Sequence, residues 1–120
     1  MIHLLLVDDN PTIKSLIKLL LKEHKEIEIV GDCSDGSEIY PFIKNYHIDV
    51  ILMDIMMKKM NGFEATKKVK AINPDIKIIG LSCSDHIHYI AELLEAGADD
   101  FLSKYELTET SLLKKIRSLF

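Results

Sequence analysis

The sequence predicts an α/β domain, a doubly wound parallel sheet with helices on both faces. Three observations lead there. Five short β-rich apolar runs alternate with five helix-period segments along 120 residues, the pattern of repeated strand–helix crossovers. Three of those runs are apolar on both faces, as strands covered by helices on both sides must be. Every connection is short, which suits right-handed crossovers around one core.

Taken in order, HLLLV (His3–Val7) is the first two-faced apolar run. The helix after it, PTIKSLIKLLLKEH, carries a stripe at Ile13, Leu16, Ile17, Leu20 and Leu21, the i, i+3, i+4 spacing of one buried face. Asn10 can cap it, and Pro11 suits its first turn. IEIV (Ile27–Val30) alternates instead, as an edge strand does. SEIYPFIKNY is a weaker helix, because Pro41 near or just past the first turn demands a shifted start or a kink. VILM (Val50–Met53) is the second two-faced run, and it ends on Asp54. GFEATKKVKAIN reads as a helix to Asn73, stopped by Pro74. KIIGL (Lys77–Leu81) is the third two-faced run. DHIHYIAELLEAG reads as a helix capped by Asp85 and ended by Gly97. DFLS (Asp100–Ser103) is the last strand, and TETSLLKKIRSLF the last helix. No repeat, linker or low-complexity stretch interrupts the series, so the expectation is one domain over residues 1–120 with no second, output domain in this chain.

Composition narrows the class. Hydrophobic residues make up 48% and charged residues 28%, a globular rather than a disordered balance. Fifteen basic against nineteen acidic side chains leave a net charge of −4, which argues against direct nucleic-acid binding. Cys33 and Cys83 form no CxxC pair and no disulfide framework, so both are expected as thiols in a reducing compartment. The opening MIHLLLVDDN meets an acid at position 8, too early for a signal-peptide core or a membrane span. A cytoplasmic, membrane-free protein is the expectation.

The chemistry gathers at strand ends. A buried strand rarely ends on an unpaired carboxylate, because desolvating one is costly. Here the first strand ends in Asp8 and Asp9 and the third in Asp54. Ligands of open parallel sheets bind beyond the carboxyl ends of the strands, so neighbouring first and third strands would bring three acids to one pocket. Like charges about 4 Å apart repel by roughly 1 kcal/mol in water and roughly 4 at an effective dielectric of 20. Such a cluster calls for a cation, and an all-oxygen set suits Mg²⁺. Ser82 after the fourth strand and Lys104 after the fifth add a hydroxyl and an ammonium, completing a phosphoryl-handling set.

The ordered motifs LLVDDNP, DVILMDIMMKKMNG, IGLSCS and EAGADDFLSK resemble the receiver domain of two-component response regulators along the whole chain. The resemblance implies a flavodoxin-like (βα)5 fold with strand order 2-1-3-4-5. It implies that Asp54 is the phosphoacceptor, supplied by a histidine kinase or phosphotransfer protein. Asp9 resembles the main acidic ligand of Mg²⁺ (Mn²⁺ or another divalent ion would fit the same oxygens). Asp8 supports it, Asp54 shares the ion, and the Met56 carbonyl is a further ligand. Lys104 resembles the lysine that pairs with phosphoryl oxygens, Ser82 the hydroxyl that moves toward them, and Phe101 the aromatic that turns inward with it. The implied output is a switch of the face made by the fourth helix, fifth strand and fifth helix, read by a downstream target or an output domain outside this chain. A homodimer through that face is left open. The implied activity is self-phosphorylation and slow autodephosphorylation rather than turnover enzymology.

Two positions depart from the family pattern. Lys58 stands where proline is usual, four residues after Asp54, and adds charge at the rim. Tyr105 follows Lys104 where proline is frequent, and a cis bond there would cost roughly 2.5–4 kcal/mol without it. Met56 and Ser84 flank the positions at which the family tunes phosphoryl lifetime. Plain structural readings compete throughout: strand-end caps for the three acids, a strand-end hydroxyl for Ser82, a solvated lysine at an exposed strand end for Lys104, core packing for Phe101 and the methionines, surface positions for His86 and His88. Asp99 and Asp100 with Lys114, Lys115 and Arg117 read as solvated charges, with pairing across a dimer face as the alternative.

The competing functions are a pseudo-receiver that binds proteins without phosphorylation, an aspartate-nucleophile phosphatase and a flavin binder. The intact acid, hydroxyl and lysine set speaks against the first. The missing DxD after the first strand speaks against the second. The acids in DDNPTIK, where a phosphate loop would need Ser, Thr or Gly, speak against the third.

Overall fold

Five parallel strands run through the centre of the molecule in the order β2-β1-β3-β4-β5. They are β1 (Ile2–Val7), β2 (Ile27–Cys33), β3 (Val50–Asp54), β4 (Lys77–Ser82) and β5 (Asp100–Ser103). The helices are α1 (Pro11–Leu21), α2 (Ile39–Asn45), α3 (Gly62–Ile72), α4 (Ile87–Glu95) and α5 (Glu109–Ser118). The computed structural model describes residues 1–83 and 87–120, and of Ile87 the backbone only. The expected Asp85 cap, Ser84 and His86 lie outside the described residues.

The alternation of side chains along each strand builds two cores. Leu5, Val7, Ile51, Met53 and Ile78 point to one face, where Ile39, Phe63, Val69 and Leu93 of α2, α3 and α4 close over them. Leu4, Leu6, Val50, Leu52, Ile79 and Leu81 point to the other, against Ile17 and Leu21 of α1 and Leu112, Leu113 and Ile116 of α5. Residues 50 to 53 of β3 are all 0% exposed, which is why that run is apolar without alternation. Burying each such side chain stabilises the fold by roughly 1.5–3 kcal/mol. β2 is an edge strand and pairs only with β1, slipping by one residue between Leu4 and Leu5.

Local signals set the helix ends. Asn10 Oδ1 accepts from Thr12 N at 2.9 Å, with Pro11 opening α1. Asn61 Oδ1 accepts from Glu64 N at 2.9 Å ahead of α3. Thr108 and Ser111 form a capping box on α5. Pro41 is met by a shifted start rather than a kink: a 3₁₀ turn over Gly36–Glu38 precedes α2, so Pro41 falls in the first turn, where its missing N–H has no helical partner to lose. α4 ends in a Schellman motif, with Ala98 N on Leu93 O and Gly97 N on Leu94 O. Gly97 adopts φ 113°, a left-handed conformation that favours glycine.

Several expectations are corrected. Lys104 is not exposed: it begins a 3₁₀ turn over Lys104–Glu106, and its side chain folds inward to 8% exposure. Two buried carboxylates attract it there. Phe101 is half-buried rather than buried, since β5 is the edge of the sheet. Among the described residues no peptide bond is cis, so Lys104–Tyr105 is trans. Asp99, Asp100, Lys115 and Arg117 pair within the chain: Asp99 with Lys70 at 2.8 Å, Asp100 with Lys115 at 3.0 Å, and Arg117 with Glu26 at 2.6 Å. Met53 is core, Met57 and Met60 pack on it, and Met56 is exposed. His88 is exposed. Among the described residues no helix is long and apolar enough to cross a membrane.

Candidate functional site

The register of the sheet brings the acids together. β1 pairs with β3 from Leu4↔Val50 to Val7↔Met53, so the next residue of each strand path, Asp8 and Asp54, arrives side by side. One carboxylate oxygen from each of Asp8, Asp9 and Asp54 lies within 4.8 Å of the others. Asp8 and Asp54 are buried and Asp9 is exposed. Asp8 is aimed by its Oδ1, which accepts from Asn10 N at 2.8 Å. Asp54 is aimed by β3: Ile55 N donates to Leu81 O at 3.2 Å, and Gly62 N donates to Ile55 O at 2.8 Å. A Cβ at position 62 would collide with the Asp54 carbonyl oxygen, so glycine is what lets α3 start there.

Lys104 crosses from the end of β5 into this pocket. Its Nζ is 2.7 Å from Asp8 Oδ2 and 3.2 Å from Asp54 Oδ1. Burial would lower the lysine's pKa, but the two carboxylates outweigh it and raise it. Burial, and then the charge of Asp8, push Asp54 up to about 7, against the pull of Lys104 and a backbone N–H from Met56. One ammonium therefore leaves three carboxylates under-compensated. Among the described residues, the buried Asp8 Oδ2 is met by the Lys104 ammonium and by no other donor. Clustered oxygens sharing one ammonium, and an acid driven toward neutrality, are the chemistry of a hard-cation site.

The remaining predicted residues surround it. Ser82 is buried at the end of β4, one residue beyond Leu81, the partner of Asp54. Phe101 pairs with Gly80, and Lys115 Nζ stands 5.5 Å from its ring centroid. Met56 is 67% exposed. Lys58 lines an open cleft beside the acids with Asp9, Asn10 and Lys59.

Two residues escaped the sequence reading. Asp35 is buried and accepts from Lys59 N (3.0 Å), Met60 N (3.0 Å) and Ser37 N (3.2 Å). Burial alone would raise its pKa, but these donors outweigh burial and lower it. It thus ties the loop after β3 to the turn after β2. Its one local signal is SDGS, an Asx-turn pattern. Gly62 closes the MNG stretch after β3, where a glycine signals no more than a loop.

A family model described as the response regulator receiver domain matches residues 4–117. The chain belongs to the response regulator receiver domain family. Relatives include the transcriptional regulatory protein DegU of Brevibacillus brevis, 34% identical over 97% of this chain and 49% of that protein. The response regulator UvrY of Escherichia coli (strain K12) is 34% identical over 100% of this chain and 55% of that protein. The receiver domain thus spans about half the length of the curated relatives it matches. The response regulator domain of Thermotoga maritima CheB superposes with a TM-score of 0.89 at 29% identity, covering 99% of this chain and 96% of that one. A LuxR-family response regulator from Aurantimonas sp. SI85-9A1 gives 0.89 at 21% identity over 98% and 83%, which speaks for the fold. The expected (βα)5 fold and 2-1-3-4-5 strand order are borne out, and this is a receiver domain of two-component response regulators.

Proposed function

We propose that this receiver domain accepts a phosphoryl group on Asp54 from the phosphohistidine of a sensor kinase or phosphotransfer protein. The observation that supports it most is the buried Asp54 carboxylate beside Asp8, with the Lys104 ammonium bridging the two. In the proposed step an Asp54 oxygen bonds to phosphorus while the phosphorus–nitrogen bond of the donor breaks, and the imidazole leaves with a proton from solvent. In-line transfer of this kind needs positioning and charge neutralisation more than covalent assistance. β3 and Gly62 fix the direction of Asp54. Lys104, 3.2 Å from Asp54 Oδ1, is within reach of oxygens added to that carboxylate.

Asp8, Asp9, Asp54 and the Met56 carbonyl would hold Mg²⁺, and Mn²⁺ fits the same oxygens. Mg²⁺ there supplies positive charge that offsets both the acids and the phosphoryl oxygens. Ser82, on the adjacent strand end, is the hydroxyl that engages the new oxygens. Phe101 then repacks and biases the α4–β5–α5 face toward a protein target or an output domain. The names of the relatives, transcriptional regulatory protein and response regulator, support such an output.

The test is incubation with acetyl phosphate and Mg²⁺ followed by intact mass. One phosphoryl group is expected on the wild type and none on Asp54→Asn. An unmodified wild type would favour a pseudo-receiver, and labelling of Asp54→Asn would remove Asp54 from the role.

A further inference from the structure

At the opposite end of the sheet, residues from two segments meet: His3 at the start of β1, and His47 and Asp49 in the connection between α2 and β3. Asp49 Oδ2 lies 3.0 Å from His3 Nδ1, and Asp49 Oδ1 lies 2.9 Å from His47 Nε2. The two rings stand edge to face, 5.3 Å between centroids at 80°. We propose that His3 Nδ1, His47 Nε2 and the Asp49 carboxylate form a binding site for one transition-metal ion of the Zn²⁺ class.

The geometry is close to what such an ion requires. Tetrahedral zinc with bonds of about 2.0–2.2 Å to nitrogen and oxygen separates its ligand atoms by about 3.4 Å. The two nitrogen–oxygen pairs, each to a different oxygen of Asp49, are at 3.0 and 2.9 Å, and one ligand atom from each of the three residues falls within 4.8 Å of the other two. Opening both pairs slightly lets the carboxylate face one ion through either or both of its oxygens. Two imidazoles and one carboxylate suit zinc, copper or nickel far better than magnesium, so the ion chemistry differs from that of the Asp54 pole.

The other ring nitrogen of His3, Nε2, faces Glu28 Oε2 at 3.7 Å, a charge contact beyond hydrogen-bond length. A carboxylate on that side of a ligating imidazole raises its basicity. Asp49 is oriented independently of the ion by the backbone N–H of His3, at 2.8 Å from Oδ2. His47 is the open side, with its side chain 74% exposed, leaving room for entry and for a water as fourth ligand. Asp49 N donates to His3 O at 2.8 Å and Lys77 N donates to Asp49 O at 2.9 Å. An ion here would therefore staple the starts of β1 and β3 to the connection that precedes β3.

The alternative is a purely hydrogen-bonded His–Asp–His network, and calorimetry separates the two. ZnCl₂ is titrated into the whole protein in millimolar Mg²⁺, with the imidazole resonances followed by NMR in parallel. The expected result is one Zn²⁺ per chain, shifted His3 and His47 resonances, binding weakened at least tenfold in His47→Gln, and binding kept in Cys83→Ser. Position 47 is exposed, so that variant keeps the fold. No binding at about 100 µM Zn²⁺, equal binding in His47→Gln, or loss in Cys83→Ser in its place would each overturn the proposal.

Discussion

The two ends of the sheet treat a carboxylate in opposite ways. At the carboxyl end, Asp54 is buried beside Asp8 and is pushed up to about 7, burial being the largest cause and the neighbouring charge the next. At the amino end, Asp49 is held below its ordinary value. Burial works against that too, but His3 N–H and the two imidazoles outweigh it. The residue type is the same and both sit at a terminus of β3. The difference lies in donors: Asp49 is surrounded by them, while among the described residues Asp54 has one shared lysine, one backbone N–H and a second acid. A site short of donors stores repulsion that a cation and a phosphoryl group can use. A site rich in donors carries no such repulsion and adds stability at neutral pH even without an ion.

The largest effect that would break this comparison is at Lys104. Lys104→Met keeps the volume and removes the one ammonium between Asp8 and Asp54. Removing one partner of a buried ion pair typically costs about 3–5 kcal/mol. Protonation of Asp54 relieves part of that, so urea melts without Mg²⁺ should show a loss of about 3 kcal/mol at pH 8 and a smaller loss at pH 5. Equal stability to wild type at pH 8 would mean that the lysine does not hold the two acids together.

Much of this was legible in the sequence. The strands were, because a run such as VILM without alternation has only a two-sided burial to explain it, and all five observed strands contain the expected runs. The positions of Asp8, Asp9, Asp54, Ser82 and Lys104 followed from strand ends alone. The inward fold of Lys104 did not, because a lone lysine after an edge strand is read as solvated until its partners' burial is known. The role of Asp35 was hidden for a related reason. Its donors at Lys59 and Met60 are 24 and 25 positions away, and backbone N–H groups leave no mark in a sequence. His3, His47 and Asp49 were likewise silent, since no local spacing links residue 3 to residue 49. Phe101 was read as buried because its type and strand suggest it, and the edge position of β5 decided otherwise.

A second effect sharpens the comparison through its sign. Asp54 has a folded pKa of about 7, above its ordinary value of 3.8. The folded state therefore binds more protons than the unfolded one between those values, and stability falls as pH rises through that window. Asp54→Asn removes the charge that is costly at high pH. In chelated buffer it should be more stable than wild type at pH 8. The span from 3.8 to about 7 already includes the pull of Lys104 and caps the gain at about 4 kcal/mol; relaxation and water penetration around the buried acid bring it to about 2. The gain should shrink toward pH 5 as wild-type Asp54 takes up its proton. Urea melts at the two pH values decide it, and a variant less stable than wild type at pH 8 would refute the charge frustration assigned to this pole.

The smallest effect is the mirror image, at Asp49→Asn. Here the folded pKa is depressed, so the carboxylate contributes stability above the ordinary aspartate range and loses it as pH falls through the folded value. The asparagine keeps an oxygen that can still accept from His3 N–H, at 2.8 Å in the wild type. It gives up the charge-assisted bonds to His3 Nδ1 and His47 Nε2. Such partly exposed bonds contribute about 1 kcal/mol together. In chelated buffer, Asp49→Asn should therefore be less stable than wild type by about 1 kcal/mol at pH 7, with the gap closing below about pH 4. The two Asp→Asn changes on one strand path then have opposite signs at neutral pH and opposite slopes below it. If Asp49→Asn stabilises the protein at pH 7, donor supply is not what separates the two ends of the sheet, and burial alone must account for the state of Asp54.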